Sequence, residues 1–437
     1  MPKHIQAKTS TEAFWTLDPF VVVEPGDRWF VDLETLLPRD HYGVLHRLQR
    51  HLGPSRTRPE FVHVALVGHA GTGKSTLARH ALASLADELA PVTIDSLQAF
   101  DQADFACADL LLVAAEAVIG QLVELEVDLG RAELEVLRQW LVDELVSETH
   151  RNALLGGVEG AIEGEVSAVI VARIAAKITA ALKVDHEYRK AIRSRAERDP
   201  RELIRRVNLL FDAVNAALEP RKLCLVFDNL EKLRLELVDR ALLQRAHELR
   251  QLHCNMLLFC GPAAELSPIG APLGKLFVSV MVPALPVRHP GDAPYVVRPE
   301  AVDAIEQLLS RRVALEEVFE QPSACVQALA HWSGGQLGDL LQIARRAVEN
   351  VEPRKVGVED IEQAARWLGA RLTAALRPED LPRAVELHRT HRVFGTSHDR
   401  RMLESSCLLQ YDGTQWWDVH PAVRADALFL QAQREGG

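Results

Sequence analysis

The chain has 437 residues, enough for about three domains. Its 48% hydrophobic and 25% charged residues are the balance of a globular protein, which excludes a chain disordered throughout. The formal charge of −11 argues against a surface given over wholly to nucleic acid. The stretches free of charge near 251–264 and 276–287 are shorter than the ~18 apolar residues a spanning helix needs. Met1–Gln6 lacks the apolar core of an export signal, so a cytoplasmic protein with no stable membrane span is expected. Cys107, Cys224, Cys254, Cys260, Cys325 and Cys407 form no CxxC pair and read as small reduced core residues, not as metal ligands.

Residues 1–60 read as an arm broken by Pro19, Pro25 and Pro38, with one helix from His41 to Leu52. Phe61–Val67 is a short apolar run of the buried parallel-strand kind. A glycine-rich turn follows, then a helical pattern from Lys74 to Leu89 and a second strand at 92–95. From 101 to about 215 the pattern is almost wholly helical, with Leu134, Leu137, Leu141 and Leu145 on one helix face. The Gly- and Ala-rich stretch 153–182 carries Glu159, Glu163, Glu165, Arg173 and Lys177, which favours a helical hairpin over a membrane-active helix. Leu223–Phe227, Met256–Cys260 and Phe277–Val282 read as further strands, the first two separated by helix, as in an α/β fold with a parallel sheet. Residues 300–370 read as helical, including Gln336–Val348 and Val358–Trp367. Two helices near 379–391 and 398–406 precede a hairpin of Cys407–Tyr411 and Gln415–His420 around Asp412-Gly413-Thr414.

Gly68-His69-Ala70-Gly71-Thr72-Gly73-Lys74-Ser75 is a complete GxxxxGK[ST] between a strand and a helix. Its glycines let backbone N–H groups turn inward around phosphates. Lys74 is placed for the β and γ phosphates and the Ser75 hydroxyl for Mg²⁺, with Thr76 completing the cradle. The helix that begins there aims its positive end at the anion. Asp228, which closes an apolar strand, is the partner expected to hold the Mg²⁺ water shell. Asn229 stands where an acid would polarise the attacking water, and an amide cannot take a proton. Glu231, two positions later, either approaches the site or is a solvated surface carboxylate. Hydrolysis of the triphosphate is therefore expected to be slow or to depend on a partner.

With Asp228-Asn229-Leu230-Glu231-Lys232 and strands at 61–67, 92–95, 223–228, 256–260 and 277–282, residues 60–370 resemble the AAA+ and STAND-like P-loop ATPases. Within them the chain looks most like bacterial relatives of the origin-recognition type. The resemblance implies a five-stranded parallel sheet with the 256–260 strand between the P-loop strand and the Asp228 strand. It divides the chain into an arm (1–60), a P-loop core (61–285) with a helical insertion at about 101–215, a helical lid (286–370) and a winged-helix-like end (371–437). ATP and Mg²⁺ are the cofactors it implies, and an ATP-dependent homo-oligomer its usual assembly.

Ser333-Gly334-Gly335-Gln336-Leu337-Gly338-Asp339-Leu340-Leu341 is similar to the lid motif SGGxxRDLL, with Gly338 in the place of the arginine that contacts the γ-phosphate. Arg345 or Arg346 either substitutes for it or lies on a solvated face. Cys260 stands where the family has a polar sensor. The cluster Arg189–Arg195 is either the source of an arginine for a neighbour's site or an exposed basic helix. The end, with Leu408-Leu409-Gln410-Tyr411 and Trp416-Trp417-Asp418-Val419-His420-Pro421, resembles a winged helix, which in such proteins either grips DNA or packs on the nucleotide site. Nine arginines against nine acids in 371–437 favour packing, with His420 a packed residue.

Intact binding motifs beside eroded hydrolysis motifs lead to an ATP-binding switch that controls a protein effector, a role that family analogy places in anti-phage defence. The alternative is a DNA-binding ATPase of initiator or transposition-regulator type, supported by basic stretches at 39–58 and 186–206. The charge of −11 is concentrated in 101–150, where twelve acids face only Arg131 and Arg138, so the total does not exclude a nucleic-acid surface elsewhere.

Overall fold

The computed structural model describes residues 5–37, 42–53, 61–145, 167–267, 273–289, 296–349, 351, 353–411 and 416–435. Five parallel strands form the central sheet: β1 (His63–Val67), β2 (Leu89–Asp95), β3 (Lys222–Asp228), β4 (Asn255–Cys260) and β5 (Val278–Met281). Their order is β2-β3-β4-β1-β5, with β4 between β1 and β3, as the resemblance implies. β3 and β4 are buried almost end to end, so their unbroken Leu, Val, Phe and Met runs cover helices on both faces. β2 lies at an edge and exposes Pro91 and Thr93. An edge is where a strand tolerates proline, which donates nothing to a ladder. Pairing of Leu89–Pro91 with Lys222–Cys224 starts this strand three residues before the expected point. The preceding helix correspondingly ends at Ser84 rather than Leu89.

The register brings Asp95 opposite Asp228 and Val67 opposite Cys260. The carboxyl ends of β1, β3 and β4 thus meet at one place, where ligands bind open α/β sheets.

The helical insertion is built from Cys107–Gly120, Arg131–Gln139, Ala168–Val184, His186–Ala196 and Pro200–Leu218. Leu134, Leu137 and Leu141 are buried on one face as their spacing predicts. The expected hairpin at 153–182 lies partly outside the described residues; its second half is the single helix Ala168–Val184, packed on Cys107–Gly120. Three acids of the acidic stretch pair with two arginines of the basic one. Arg189 is buried and bonds Asp101 at 2.5 Å, and Arg193 bonds Asp104 and Asp109 at 2.9 Å. This corrects both sequence readings of Arg189 and Arg193: they are neither a projecting arginine source nor an exposed basic face, because acids of the same insertion hold them.

The lid comprises Pro299–Ser310, Pro322–Ser333, Leu337–Val348 and Val358–Thr373. The arm is part of its core. Ala13, Leu17, Leu33 and Leu37 pack among Ile305, Leu309 and Leu340, and Ala7 exchanges backbone bonds of 2.9 and 2.7 Å with Arg312 and Ala314.

Beyond the lid, helices Asp380–Thr390 and Ser397–Glu404 precede the antiparallel pair β6 (Leu408–Tyr411) and β7 (Trp416–Val419). The turn expected at Asp412–Thr414 lies outside the described residues. Every described residue of the two strands is buried. Asp418 is enclosed by Arg288 and His388, and Ala284 donates to the Gln410 carbonyl at 2.8 Å. Gly335 shows how closely the lid approaches the core. Its φ is +80°, and a Cβ there would stand 2.2 Å from the Leu285 carbonyl oxygen. All six cysteines are free and buried. No described helix is long and apolar enough to cross a membrane.

Candidate nucleotide site

β1 runs into the loop Gly68–Gly73, and Gly71 and Gly73 take φ of +83° and +88°, left-handed values that only glycine adopts without strain. Gly68 is excluded from carrying a side chain by a second cause, since its Cβ would meet the Val282 carbonyl at 2.7 Å. The helix Lys74–Ser84 starts directly after the turn. Lys74 is 3% exposed, and its Nζ donates to the carbonyls of Gly68 at 2.9 Å and His69 at 2.7 Å. The same ammonium lies 3.1 Å from Glu231 Oε1. Burial lowers the Lys74 pKa, and the charge of Glu231 opposes that pull.

Ser75 Oγ donates to Asp228 Oδ1 at 3.0 Å, which joins the two groups the sequence assigns to Mg²⁺. Burial raises the Asp228 pKa, against the hydrogen bond from Ser75. A hydroxyl and a carboxylate at the end of β3 are hard oxygen donors of the kind Mg²⁺ takes alongside phosphate oxygens. Asn229 adopts φ +63°, and its Nδ2 donates to Asp95 Oδ1 at 3.0 Å. The Asn229 amide is thus pinned toward β2. Glu231 is no solvated carboxylate: it is buried on Lys74, and its Oε2 has no hydrogen-bond partner among the described residues. The surface alternative for Glu231 is therefore corrected.

The lid and the C-terminal module both touch the loop. Gly338 N donates to the Gly71 carbonyl at 2.9 Å, and Gln336 Nε2 to the Ala70 carbonyl at 2.6 Å. A Cβ on Gly338 would meet Gly71 Cα at 3.0 Å, so glycine in the place of the family's arginine permits a direct backbone contact. Gly338→Arg is accordingly expected to push the lid off the loop and weaken nucleotide binding; binding as tight as in the unaltered chain, by calorimetry, would show that this contact does not matter. His69 is buried against the C-terminal module, its Nδ1 3.5 Å from Ser406 Oγ. Burial first, then Lys74 and His420, lower its pKa to about 3, so the ring stays neutral. Thr72 Oγ1 donates to the His69 carbonyl at 2.9 Å, and Thr76 Oγ1 accepts from Val23 N at 3.2 Å.

Of these groups, Ala70–Thr76, Asn229, Glu231, Gln336 and Gly338 line one cleft of about 350 Å³, the size of small-molecule sites. It is bounded by Ala70–Leu77, by Asn229 and Glu231, by arm residues 19–23 and 29–31, and by lid residues such as Leu308, Arg312 and Gln336–Gly338.

The structure thus brings together Gly68–Thr76, Asp228, Asn229 and Glu231. Arg345 and Arg346 lie elsewhere: Arg345 pairs with Asp18 at 3.2 Å and covers Phe14, and Arg346 bonds Glu349. Neither stands in the place of the lid arginine, because each is engaged by another side chain and neither lines the cleft. Cys260 is buried at the end of β4, its thiol pushed up to about 12 by desolvation. The sequence reading missed the arm and Arg312, which carry no motif. Gln336 was legible only as a member of the lid motif.

Residues 43–259 match the sequence family described as AAA ATPase domain. Among curated proteins, none is significantly similar in sequence. Among solved structures, the Walker-type ATPase of Pyrococcus abyssi aligns over 96% of this chain and 99% of its own, with 12% identity and a TM-score of 0.46. Cdc6p from Pyrobaculum aerophilum aligns over 96% and 98%, with 11% identity and a TM-score of 0.42. The sheet order, the loop that closes on Lys74 and the family match agree: this chain belongs to the AAA+ P-loop ATPases.

Proposed function

We propose that the chain is an ATP- and Mg²⁺-binding switch whose bound state is read by the lid and the C-terminal module. The carrying observation is that three consecutive loop residues, His69, Ala70 and Gly71, each touch one of those two parts. A phosphate that draws Lys74 away from the Gly68 and His69 carbonyls changes the loop that holds them. In this reading Gly68–Thr76 cradle the triphosphate, Ser75 and Asp228 hold Mg²⁺, and Asp228, Asn229 and Glu231 surround the attacking water. Hydrolysis is slow or partner-dependent, and the states are read by oligomerisation and by a protein effector. The buried hairpin β6–β7 supports the packing role of the end over a DNA-gripping one. A place in anti-phage defence has no support in the site geometry.

The second reading, a DNA-binding ATPase of initiator type, is favoured by one observation. Lys190, Arg198, Arg201 and Arg205 remain exposed in the basic stretch, while Arg189, Arg193, Arg195 and Arg206 are wholly or partly covered. Native mass measurement and hydrogen exchange with ATP and with ADP test the switch. ATP is expected to change the oligomer, or the protection of Leu403–Leu408 and Gly334–Asp339; identical mass and exchange in both nucleotides would end this reading. Retardation of duplex DNA that falls steeply across a salt series would establish the second in its place.

A further inference from the structure

Arg312 is a polar group whose burial the structure leaves only partly explained. It follows the first lid helix, Pro299–Ser310, and is 5% exposed. Its Nη1 donates to the Thr16 carbonyl at 3.1 Å, and its guanidinium lies 4.6 Å over the Trp29 ring. Its Nε has no hydrogen-bond partner among the described residues, although it is buried. Leaving a charged donor of this kind unmet inside a protein costs at least as much as a lost hydrogen bond. Arg312 lines the nucleotide cleft together with Trp29, Leu308 and Leu341, so the unmet donor belongs to a side chain at the cleft wall. Burial pulls its pKa to about 10, opposed by Asp27 and Asp18, so it remains a cation near neutral pH.

Its neighbours fix which end of the cleft it occupies. The acids that act on Arg312 are Asp27 and Asp18 of the arm, whereas Asp228 and Glu231 act on Lys74. Thr16 and Trp29 hold Arg312 on the arm side of the cleft, and it is not among the charged groups around Lys74. The arm and lid contribute an apolar wall to the cleft that Arg312 lines: Val21–Val23, Trp29, Phe30 and Leu308. That wall suits a flat heterocycle, and a guanidinium, which only donates, suits a heterocycle with acceptor nitrogens.

We propose that Arg312 is a specificity-determining residue that donates to an acceptor nitrogen of a bound purine base, so that this lid residue reads the nucleoside end of the nucleotide rather than its γ-phosphate. The inference rests on the nucleotide-binding reading above and adds a role for the lid. With Gly338 in the motif arginine's place, no guanidinium is supplied from that position, and Arg312 supplies one at the other end of the cleft. The Arg312 contact then reports that a purine nucleotide is present, whether di- or triphosphate, while the Gln336 and Gly338 contacts with the loop are left to respond to the phosphates. Trp29 stacks on the guanidinium and holds its plane, which makes it a positioning residue.

The test is calorimetric, on the full chain with Mg²⁺, using ATP, ADP and the 1-deaza, 3-deaza and 7-deaza analogues of ATP. One deaza analogue is expected to bind about tenfold or more weakly than ATP, since it lacks the acceptor of a charge-assisted hydrogen bond. Arg312→Ala is expected to weaken ATP and ADP by the same factor and to erase the penalty of that analogue. Arg312→Lys, which keeps the charge without the fork, should recover only part of the affinity. If all three analogues bind the unaltered chain like ATP, the proposal fails, whatever the variants do. It also fails if Arg312→Ala weakens ATP but not ADP, which would mark a γ-phosphate contact. A lowered melting temperature with the analogue penalty intact would show that Arg312 merely clamps the arm. Lys74→Ala run beside these separates the two levels. Retained binding in that variant overturns the nucleotide reading itself, whereas lost binding with a flat analogue panel overturns only the role of Arg312.

Discussion

Lys74→Ala is expected to abolish nucleotide binding in calorimetry, a loss of at least a hundredfold. The ammonium is held by Gly68 O, His69 O and Glu231, and is 3% exposed, so it is oriented before any phosphate arrives. Each charge-assisted bond it makes to a phosphate oxygen is of the stronger class, and two such bonds suffice for a loss of that size at about 1.4 kcal/mol per tenfold. The variant has a second consequence. Removing Lys74 strands a carboxylate that is 6% exposed, and breaking a buried pair from one side costs about 3–5 kcal/mol. A lower melting temperature is therefore expected alongside the lost binding, and the two effects can be separated. Lys74→Ala combined with Glu231→Gln should regain most of the stability and none of the binding. Unchanged affinity in Lys74→Ala would remove the P-loop from the account altogether.

What the sequence made legible was local chemistry and the period of burial. Gly68–Ser75 declares itself because each position answers a steric or charge demand inside eight consecutive residues, and the structure meets those demands one by one at Gly71, Gly73, Lys74 and Ser75. The strand order follows from the family resemblance and from apolar runs such as Leu223–Phe227. Pairings across the fold were not legible. Nothing in Arg189-Lys190-Ala191-Ile192-Arg193 says that its arginines are spent on Asp101, Asp104 and Asp109, some 85 positions earlier. The same holds for Thr76, whose hydroxyl accepts a hydrogen bond from Val23 N of the arm, and for Arg312, whose carbonyl accepts one from Ala7 N. The arm reads as proline-broken because its order comes from the lid it covers, not from its own periodicity. The glycine at 338 read as a lost arginine; the distance to Gly71 makes it a requirement of contact.

Glu231→Gln is expected to reduce ATP turnover by about a hundredfold, within the range that a positioned acid or base contributes, while ATP binds at least as tightly as before. Two carboxyl groups near β3 are candidates for water activation, and their geometry sets them apart. Asp228 is committed to Ser75 and the Asn229 backbone, with bonds of 3.0 and 2.7 Å, and so serves the metal side of the site. Asn229 has its amide bonded to Asp95, and an acid placed there by Asn229→Glu would stand against that carboxylate. Glu231 alone combines burial, a place in the cleft and an oxygen, Oε2, that lacks a hydrogen-bond partner among the described residues. Its other oxygen holds Lys74 at 3.1 Å, so phosphate and Glu231 compete for one ammonium. A γ-phosphate that wins Lys74 leaves the carboxylate charged and beside the site of attack, where it can take a proton from water. Gln at 231 keeps the shape but neither competes for Lys74 nor accepts the proton, so affinity and turnover move in opposite directions. Steady-state phosphate release and calorimetry on the same sample read both. If turnover stays within a factor of two, Glu231 is only a counter-ion for Lys74, and slow hydrolysis follows from the site having no base at all.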